Sequence, residues 1–399
     1  MSTETVAKLL SLQDIRYKAQ KVLQKAESQS LKSFLYDPSK LPEVADFVVS
    51  VIQADFKGKY STIPPHGRWQ HFEVGNVPRL SQLVSKWEKE GVDSLEICKR
   101  VLDVTFVSVL LDAGAGDVWK YTDGKEAYGR SEGLAVASLR CFESGLFSSN
   151  PDFVYQVDGK ALQALTSEKL GAGFQVTEQN PLAGVEGRAT ILRSLGKQLG
   201  SGRPSDFVGR IFPTGDFSKG LNVLELWSEL QTLLIPIWPV RTSFEGQNLG
   251  DAWYLSTIDA IQPFHKLTQW LTYSLLIPFK SLLKVPVVNE ELLTGLPEYR
   301  NGGLFVDLGV LTLRPEFSYA TEYEPSSVTI VEWRAMTVVL LDKLLAFVNE
   351  RLKPELSEPL SLAQMLEAGS WKSGRIIAKK LRPSTAGSPI LIKSDGTLF

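Results

Sequence analysis

Apolar residues recur at helical spacing along most of this chain. Val44, Phe47, Val48, Val51 and Ile52, for example, repeat with a period of about 3.6 residues, the pattern of an amphipathic helix. The same periodicity predicts helices over 80–89, 98–111, 132–147, 161–170, 184–199, 221–234, 263–277 and 331–352. Short strands are predicted at 303–313, at 327–331 and in a terminal hairpin of 389–393 with 395–399. The pattern therefore predicts a mainly α, compact multi-helix fold with a few short β-hairpins.

No internal repeat and no low-complexity linker interrupts the pattern, which predicts a single compact domain over residues 1–399. The longest apolar stretches, 104–111 and 233–240, are far shorter than the roughly 18 residues of a membrane span. The N-terminal segment is typical of an amphipathic helix and lacks the apolar block of a signal peptide. We therefore expect a cytoplasmic protein that contacts no membrane.

Composition narrows the chemistry that the chain can perform. The 43 Lys and Arg residues against 45 Asp and Glu residues give a formal charge of −2, which does not fit a nucleic-acid binder. His66, His71 and His265 are the only imidazoles, and Cys98 and Cys141 lie in no zinc-binding spacing. We therefore expect no metal, no cofactor and no nucleic-acid partner, and chemistry that depends on carboxylates.

A predicted helix between Pro263 and Pro278 carries polar residues opposite its apolar face. His265 and Gln269 lie on that side, and Lys266 flanks them. Because a solvated face would more often carry Glu and Lys, these residues either line a cavity or form an ordinary polar face.

A loop dense in glycine and proline follows at 294–303 and contains Glu298 and Arg300. It is either a rigid loop that holds functional side chains or a turn with a surface ion pair. Asp307 lies in the apolar run behind it, and a buried carboxylate there needs a partner or a function.

A second glycine-rich turn carries Asp112, Asp117 and Trp119 and is followed by Arg130 and Glu132. The glycines are either a simple helix C-cap or part of the wall of a small polar pocket. A short loop over 64–71 collects two of the three histidines and an arginine, and a structural loop is the favoured interpretation there.

The chain carries a series of specific motifs. They are IPPHGRW, LLDAGAGDVW with RSEGLAVASL, FQV with NPLAGVEGRA, PFHKLTQWLTYSL, LTGLPEYRNGGLFVDLGVL, VEWRA and SDGTLF. Together they resemble, nearly end to end, the uracil catabolism protein 4 family of fungi and bacteria. The resemblance implies a pyrimidine breakdown route in which uracil becomes a nucleotide, its ring is opened and a ribosylurea-type intermediate loses urea.

The stretch from PFHKLTQ through LTGLPEYRNGGLFVDLGVL to VEWRA is also similar in order and spacing to the queuosine salvage proteins. Those are N-glycosidases of nucleoside 5'-monophosphates, with a helical fold related to helix-hairpin-helix DNA glycosylases. The resemblance implies that Glu298 is the catalytic carboxylate. It also matches Lys266, Gln269, Arg300 and Arg334 to residues of the salvage motifs.

The sequence departs from that family at the catalytic position, where Glu298 replaces Asp, and at His265, which replaces Tyr. Asp112, Asp117 and Trp119 replace an aromatic-rich base pocket. A smaller, more polar leaving group such as urea would suit this change.

These comparisons lead to the hypothesis of a hydrolase, an N-glycosidase that cleaves a ribosyl C–N bond. Glu298 would stabilise an oxocarbenium-like transition state or activate water. Asp112, Asp117 or Glu132 would accept hydrogen bonds from the ureido N–H groups of the substrate.

Cations are needed for the 5'-phosphate of such a substrate, and Lys266 with Arg300 or Arg130 would supply them. The predicted catalytic residues are Glu298 and Asp112; the predicted substrate-binding residues are Asp117, Trp119, Arg130, Glu132, His265, Lys266, Gln269, Tyr299 and Arg300. The expected partner is a small ribosyl or ribosyl-phosphate molecule. Two alternatives are a ureidohydrolase that acts on the same intermediate and a non-catalytic partner of another uracil-degradation enzyme.

Overall fold

The computed structural model describes residues 5–112, 114–116 and 118–393. Helices dominate these residues, which confirms the predicted mainly α fold. The helices are α1 (Val6–Leu9), α2 (Leu12–Glu27), α3 (Leu41–Phe56), α4 (Arg68–Phe72), α5 (Arg79–Lys89), α6 (Ser94–Leu110), α7 (Arg130–Glu143), α8 (Gly159–Gln163), α9 (Ser167–Gly173), α10 (Val185–Leu199), α11 (Phe207–Ile211), α12 (Val223–Leu234), α13 (Lys266–Ser281), α14 (Tyr299–Asp307), α15 (Val328–Leu352), α16 (Leu362–Met365) and α17 (Trp371–Leu381). Within the described ranges, none of them combines the length and the apolar character of a membrane-crossing helix.

Within the described residues, short strands form two-stranded sheets. They are β1 (Phe34–Tyr36), β2 (Lys120–Asp123), β3 (Glu126–Gly129), β4 (Leu221–Asn222), β5 (Ser243–Phe244), β6 (Gln247–Asn248), β7 (Ala252–Leu255), β8 (Ala260–Pro263), β9 (Val287–Val288), β10 (Leu311–Leu313), β11 (Glu322–Tyr323) and β12 (Leu391–Ile392). The pairs β1–β10, β2–β3, β5–β6 and β7–β8 are antiparallel, whereas β4–β9 and β11–β12 are parallel.

Two compact units make up the described chain. The first unit consists of residues 5–66, 240–269 and 291–393. The second consists of residues 270–290 and the described residues between 67 and 239. The expectation of a single compact enzyme domain over 1–399 stays a prediction.

Helix α15 forms the centre of the first unit, where it packs against α2, α3 and α14. Every residue from 329 to 341 is buried, so this stretch is enclosed on all sides. Glu332 is fully buried there, and its two oxygens accept hydrogen bonds of 2.8 Å from the backbone N–H groups of Lys32 and Ser33. These bonds offset the cost of burying a carboxylate.

The second unit is built around α6, which packs against α7 and α10. Helices α8 and α10 cross with their backbones in contact, because glycines occupy the crossing point. A Cβ atom on Gly159 would lie 2.5 Å from the carbonyl oxygen of Gly200, and one on Gly196 would lie 2.7 Å from that of Gly159.

Two predicted strands are wrong because their apolar runs belong to buried helices. Residues 303–307 lie in α14, and only Leu311–Leu313 is a strand. The segment 327–331 starts α15, where the Ser327 hydroxyl accepts a hydrogen bond of 3.3 Å from Ile330 N. An apolar run by itself does not separate a strand from a buried helix, and here the N-caps decide.

Further boundaries differ from the prediction around α13 and at the C-terminus. Pro263 ends β8 and the helix begins at Lys266, while Pro278 lies inside α13 and does not end it. Of the predicted terminal hairpin, Leu391–Ile392 pairs in parallel with β11 instead. Its proposed partner strand, 395–399, lies outside the described residues.

Helices α14 and α17 also approach closely, and a glycine permits it. A Cβ atom on Gly374 would lie 2.3 Å from the carbonyl oxygen of Arg300. We expect Gly374→Ala to lower the free energy of unfolding by about 1–3 kcal/mol, because α17 must move away from α14. Denaturant unfolding measures this loss. The matched control is Gly209→Ala on α11, where the new Cβ meets open space; equal losses in both variants would contradict the prediction.

Candidate active site

Glu298 is the N-cap residue of α14, and the helix end orients its carboxylate. Its Oε2 accepts a hydrogen bond of 2.7 Å from Arg300 N, and its Oε1 accepts one of 2.6 Å from Asn301 N. A carboxylate oxygen can accept two hydrogen bonds, so each retains acceptor capacity beyond these contacts. The geometry therefore holds the carboxylate in one orientation and leaves each oxygen able to accept a further hydrogen bond.

Opposing effects set the pKa of Glu298. Burial raises the pKa, whereas the two backbone N–H groups and the charges of Lys266 and Arg300 lower it, and burial prevails. Lys266 is itself buried, with 8% of its surface exposed. A carboxylate with a raised pKa thus shares the first unit with two nearby cations.

Gln269 fastens the loop that leads to Glu298. Its Nε2 donates to Thr294 Oγ1 at 2.8 Å and to the Phe264 carbonyl at 3.3 Å, and its Oε1 accepts from Thr294 N at 2.9 Å. The side chain is fully buried. The structure therefore gives Gln269 a positioning role, and its contact with substrate stays a prediction.

The first turn of α14 is held by polar contacts as well. Asn301 Nδ2 donates to the Leu296 carbonyl at 3.1 Å, and Asn301 Oδ1 accepts from Ser370 Oγ at 2.8 Å. Ser370 ends the π-helical turn Leu366–Ser370 between α16 and α17. Trp333 Nε1 on α15 donates to the Gly302 carbonyl at 3.0 Å. Two neighbouring helices thus fix the turn that Glu298 caps.

Asp251 and Arg334 form a two-pronged ion pair beside this loop. Arg334 Nη1 and Nη2 each donate to one Asp251 oxygen at 2.7 Å. Asp251 Oδ2 also accepts from Lys266 N at 3.0 Å, and Arg334 Nε donates to the Pro297 carbonyl at 3.3 Å. Burial would raise the pKa of Asp251, but Arg334 and the N–H donors hold it well below its usual range.

His265 is held in a left-handed backbone conformation, with φ of 45°. Its Nε2 lies 2.9 Å from the Leu9 carbonyl oxygen, which can only accept, so Nε2 carries a proton. Burial lowers the pKa of His265 and favours the neutral ring. The histidine therefore fastens α1 to the start of α13, and its contact with substrate stays a prediction.

Arg300 and Tyr299 lie in the first turn of α14. The Arg300 guanidinium carbon is 4.8 Å from the centre of the Tyr299 ring, and Nη1 donates to the Ala386 carbonyl at 2.7 Å.

At the other end of the helix, Asp307 has the ion-pair partner that its burial requires, since Arg382 donates to both its oxygens at 2.8 and 2.6 Å.

Asp112 belongs to the second unit, where it faces two buried arginines. Its Oδ2 lies 3.1 Å from Nη1 of Arg68, which is fully buried. Arg188 donates to the carbonyls of Leu111 and, at 2.7 Å, Gly114. Burial lowers the pKa of Arg188 to about 10, and Asp112 counteracts this effect.

Hydroxyl groups and a second carboxylate complete the surroundings of Arg68. Its Nε donates to Ser108 Oγ at 2.8 Å, and its backbone N donates to Ser274 Oγ at 3.0 Å. Burial lowers the pKa of Arg68, whereas Asp112 and Glu132 raise it. The structure thus groups the predicted residues Asp112 and Glu132 around a buried guanidinium.

Trp119 packs in the core of the second unit with only 1% of its surface exposed. Its ring stacks on Phe174, and Nε1 donates to the Phe174 carbonyl at 2.9 Å. Arg130 begins α7 with a positive φ of 52°. Asp117 lies outside the described residues. The substrate contacts of these three residues stay predictions.

The two histidines of the 64–71 loop lie in protein contacts. His66 Nδ1 is 2.5 Å from Glu367 Oε2, and the His71 ring centre is 5.6 Å from that of Trp270. Both are buried. These contacts agree with the structural interpretation of the loop.

The sequence pattern did not mark Asp251 or Arg188 as site residues. Arg334 was indicated only by the resemblance to the salvage motifs. A signal for Arg334 exists, because Glu332 and Arg334 interrupt the apolar run VTIVEWRAMTVVLL. A charge inside such a run needs a buried partner. Asp251 follows a glycine in an ordinary polar segment, so no pattern in its neighbourhood marks it.

The first unit thus defines a mainly α protein in which an oriented carboxylate, Glu298, lies near the cations Lys266 and Arg300. A family model described as "Protein of unknown function (DUF1688)" matches residues 8–399, and the chain belongs to that family. The chain is also 43% identical over 407 aligned residues to a protein of Lachancea kluyveri named uracil catabolism protein 4, and the match covers 92% of each chain. This relative confirms the first resemblance; the similarity to queuosine salvage proteins stays a prediction.

Proposed function

We propose that the chain is an N-glycosidase of uracil degradation that releases urea from a 5'-phosphorylated ribosylurea-type intermediate. The name of the Lachancea kluyveri relative supports the pathway. The observation that carries the reaction type is the oriented carboxylate of Glu298 near Lys266 and Arg300.

The reaction consumes one water. The C–N bond between the anomeric carbon and the ureido nitrogen breaks, and the water oxygen bonds to the anomeric carbon. One water proton ends on the departing nitrogen, so the products are ribose 5-phosphate and urea. Positive charge develops on the ribose ring during this exchange, and a carboxylate close to that ring stabilises the transition state.

Glu298 is suited to this role because its carboxylate is held before the substrate arrives. The hydrogen bonds from Arg300 N and Asn301 N fix both oxygens, so no reorganisation is needed when charge develops. The remaining acceptor capacity of each oxygen serves the ribose cation or the attacking water. The raised pKa also makes the carboxylate a stronger base than an exposed Glu.

Lys266 and Arg300 are the proposed contacts of the 5'-phosphate. A guanidinium has five N–H donors, and the hydrogen bond to Ala386 uses one of them. Holding a remote phosphate supplies binding energy that positions the reacting carbon. Asp112 balances buried arginines in the second unit, and its contact with a ureido group stays a prediction from the sequence.

Incubation of the purified protein with ribosylurea 5'-phosphate tests the proposal. We expect urea and ribose 5-phosphate in equal amounts, with much slower release from the substrate that lacks the phosphate. Ammonia and carbon dioxide as products would show a ureidohydrolase and contradict the proposal. Ligand-dependent thermal stabilisation without any product would show a binding partner and contradict it equally.

A further inference from the structure

Lys266 and Glu298 are both tied to one buried ion pair. Asp251 accepts from the backbone N of Lys266, the first residue of α13, and Arg334 donates to the carbonyl of Pro297, which directly precedes Glu298. The ion pair itself consists of two hydrogen bonds of 2.7 Å. The Asp251–Arg334 ion pair therefore joins the two segments that carry the proposed cation and the proposed catalytic carboxylate.

Further contacts make this ion pair rigid. Asp251 Oδ1 accepts from Trp253 Nε1 at 2.8 Å, and the Asp251 carbonyl accepts from the backbone N–H groups of Phe264 and His265 at 2.9 and 3.0 Å. The Arg334 guanidinium carbon lies 4.0 Å from the centre of the Phe264 ring. The side chains of Asp251 and Arg334 are 15% and 3% exposed, so little water competes with these bonds.

We infer that Asp251 and Arg334 are a pair of positioning residues that set the distance between the Lys266 ammonium and the Glu298 carboxylate. The inference rests on the proposed function where it concerns turnover, but its geometric part does not. A buried ion pair contributes little net stability compared with apolar residues of the same size, whereas it fixes two partners in one arrangement. Lysine cannot replace arginine in that role, because a single ammonium does not provide the planar fork that matches a carboxylate.

Arg334→Lys tests the inference because it keeps the positive charge and loses the fork. The ammonium of Lys266 lowers the pKa of Glu298 in the native protein. If the pair sets their separation, its loss lets the two groups move apart. We expect the pKa of Glu298 to rise by about half a unit or more, measured by NMR titration of the ¹³C-labelled carboxyl, assigned with Glu298→Gln. We also expect kcat to fall about 10-fold or more, with a smaller change in KM.

The matched control is Arg351→Lys on the same helix, roughly 25 Å further along at 1.5 Å per residue. Arg351 also contacts a carboxylate, that of Asp46, and the carbonyls of Phe347 and Pro42. A lower melting temperature in both variants, with the pKa of Glu298 and kcat unchanged in both, would show a purely structural pair and overturn the inference.

The NMR titration needs no substrate, so it separates this inference from the proposed function. A raised pKa of Glu298 in Arg334→Lys supports the positioning role even if no urea is released by the native protein. Should Arg334→Lys not fold, Trp253→Phe is the second variant, because it removes a donor that orients Asp251 Oδ1 and so loosens the two-pronged contact while both charges remain. A rise of the pKa in that variant supports the inference, and an unchanged pKa overturns it.

Discussion

Replacement of Glu298 by Gln is expected to slow urea release by about 10²-fold or more, because the amide lacks the charge that stabilises the ribose cation. Gln keeps the volume of Glu and one acceptor oxygen. Its amide nitrogen cannot accept a hydrogen bond, so the variant lacks one of the two oxygens that now accept from Arg300 N and Asn301 N. A cap of this kind contributes about 1 kcal/mol, so the variant should fold and be testable for turnover.

The pH dependence of the native protein provides a second readout of the same carboxylate. Burial raises the pKa of Glu298 above the ordinary value of 4.5. Turnover needs the ionised form, so kcat/KM should fall as the pH decreases, with a midpoint above 4.5.

A matched control for Glu298→Gln is Glu355→Gln, which removes the charge of an exposed carboxylate that accepts hydrogen bonds from Gln53 and Tyr60. We expect this variant to release urea at the native rate. Native turnover by folded Glu298→Gln would assign the chemistry to another residue.

Asp251→Asn is expected to lower the free energy of unfolding by about 3–5 kcal/mol, because it leaves the Arg334 guanidinium buried without its counter-charge. Denaturant unfolding measures the loss. The control is Asp46→Asn, which breaks an ion pair with Arg351 in which the Asp46 side chain is 67% exposed. An exposed pair contributes about 0–1 kcal/mol, so the control should lose little. Similar losses in both variants would contradict the burial argument.

The direction of the pH effect on Asp251 follows from its lowered pKa. The native carboxyl ionises well below the unfolded value of 3.8. Its contribution to stability is therefore fully present above pH 3.8 and is lost as the pH falls below that value. The difference in stability between the native protein and Asp251→Asn should shrink over the same range.

Much of the fold follows from the local sequence pattern. The elements that this pattern predicts wrongly share one cause. The helical periodicity located α5, α6, α10 and α15 to within a few residues. It failed at 303–310 and 327–331, where apolar or β-branched runs are buried over 303–306 and 329–331. Such runs carry no periodic signal, so the capping residues Glu298 and Ser327 and the helices packed around them decide the outcome.

In the candidate site, too, the sequence predicts some features and only the tertiary structure shows the others. Sequence alone singled out Glu298 and Arg300 in a loop dense in glycine and proline, and Lys266 beside the polar face of a predicted helix. The roles predicted for them came from the resemblance. The sequence did not reveal that Gln269 forms hydrogen bonds with Thr294 and Phe264, or that His265 forms one with Leu9. Which polar side chain is consumed by protein contacts depends on partners that are distant in sequence.

The sequence by itself determined a mainly α chain and predicted a chemistry that rests on carboxylates, since helical periodicity and the scarcity of His and Cys are properties of composition and order. Only the tertiary structure decided that Asp251 and Arg334 join the segments of Lys266 and Glu298. These four residues lie at positions 251, 266, 298 and 334, and no local pattern relates them. The physical reason is that a buried charge is stable only with its partner, and the packing of α15 against β7 and α14 selects that partner.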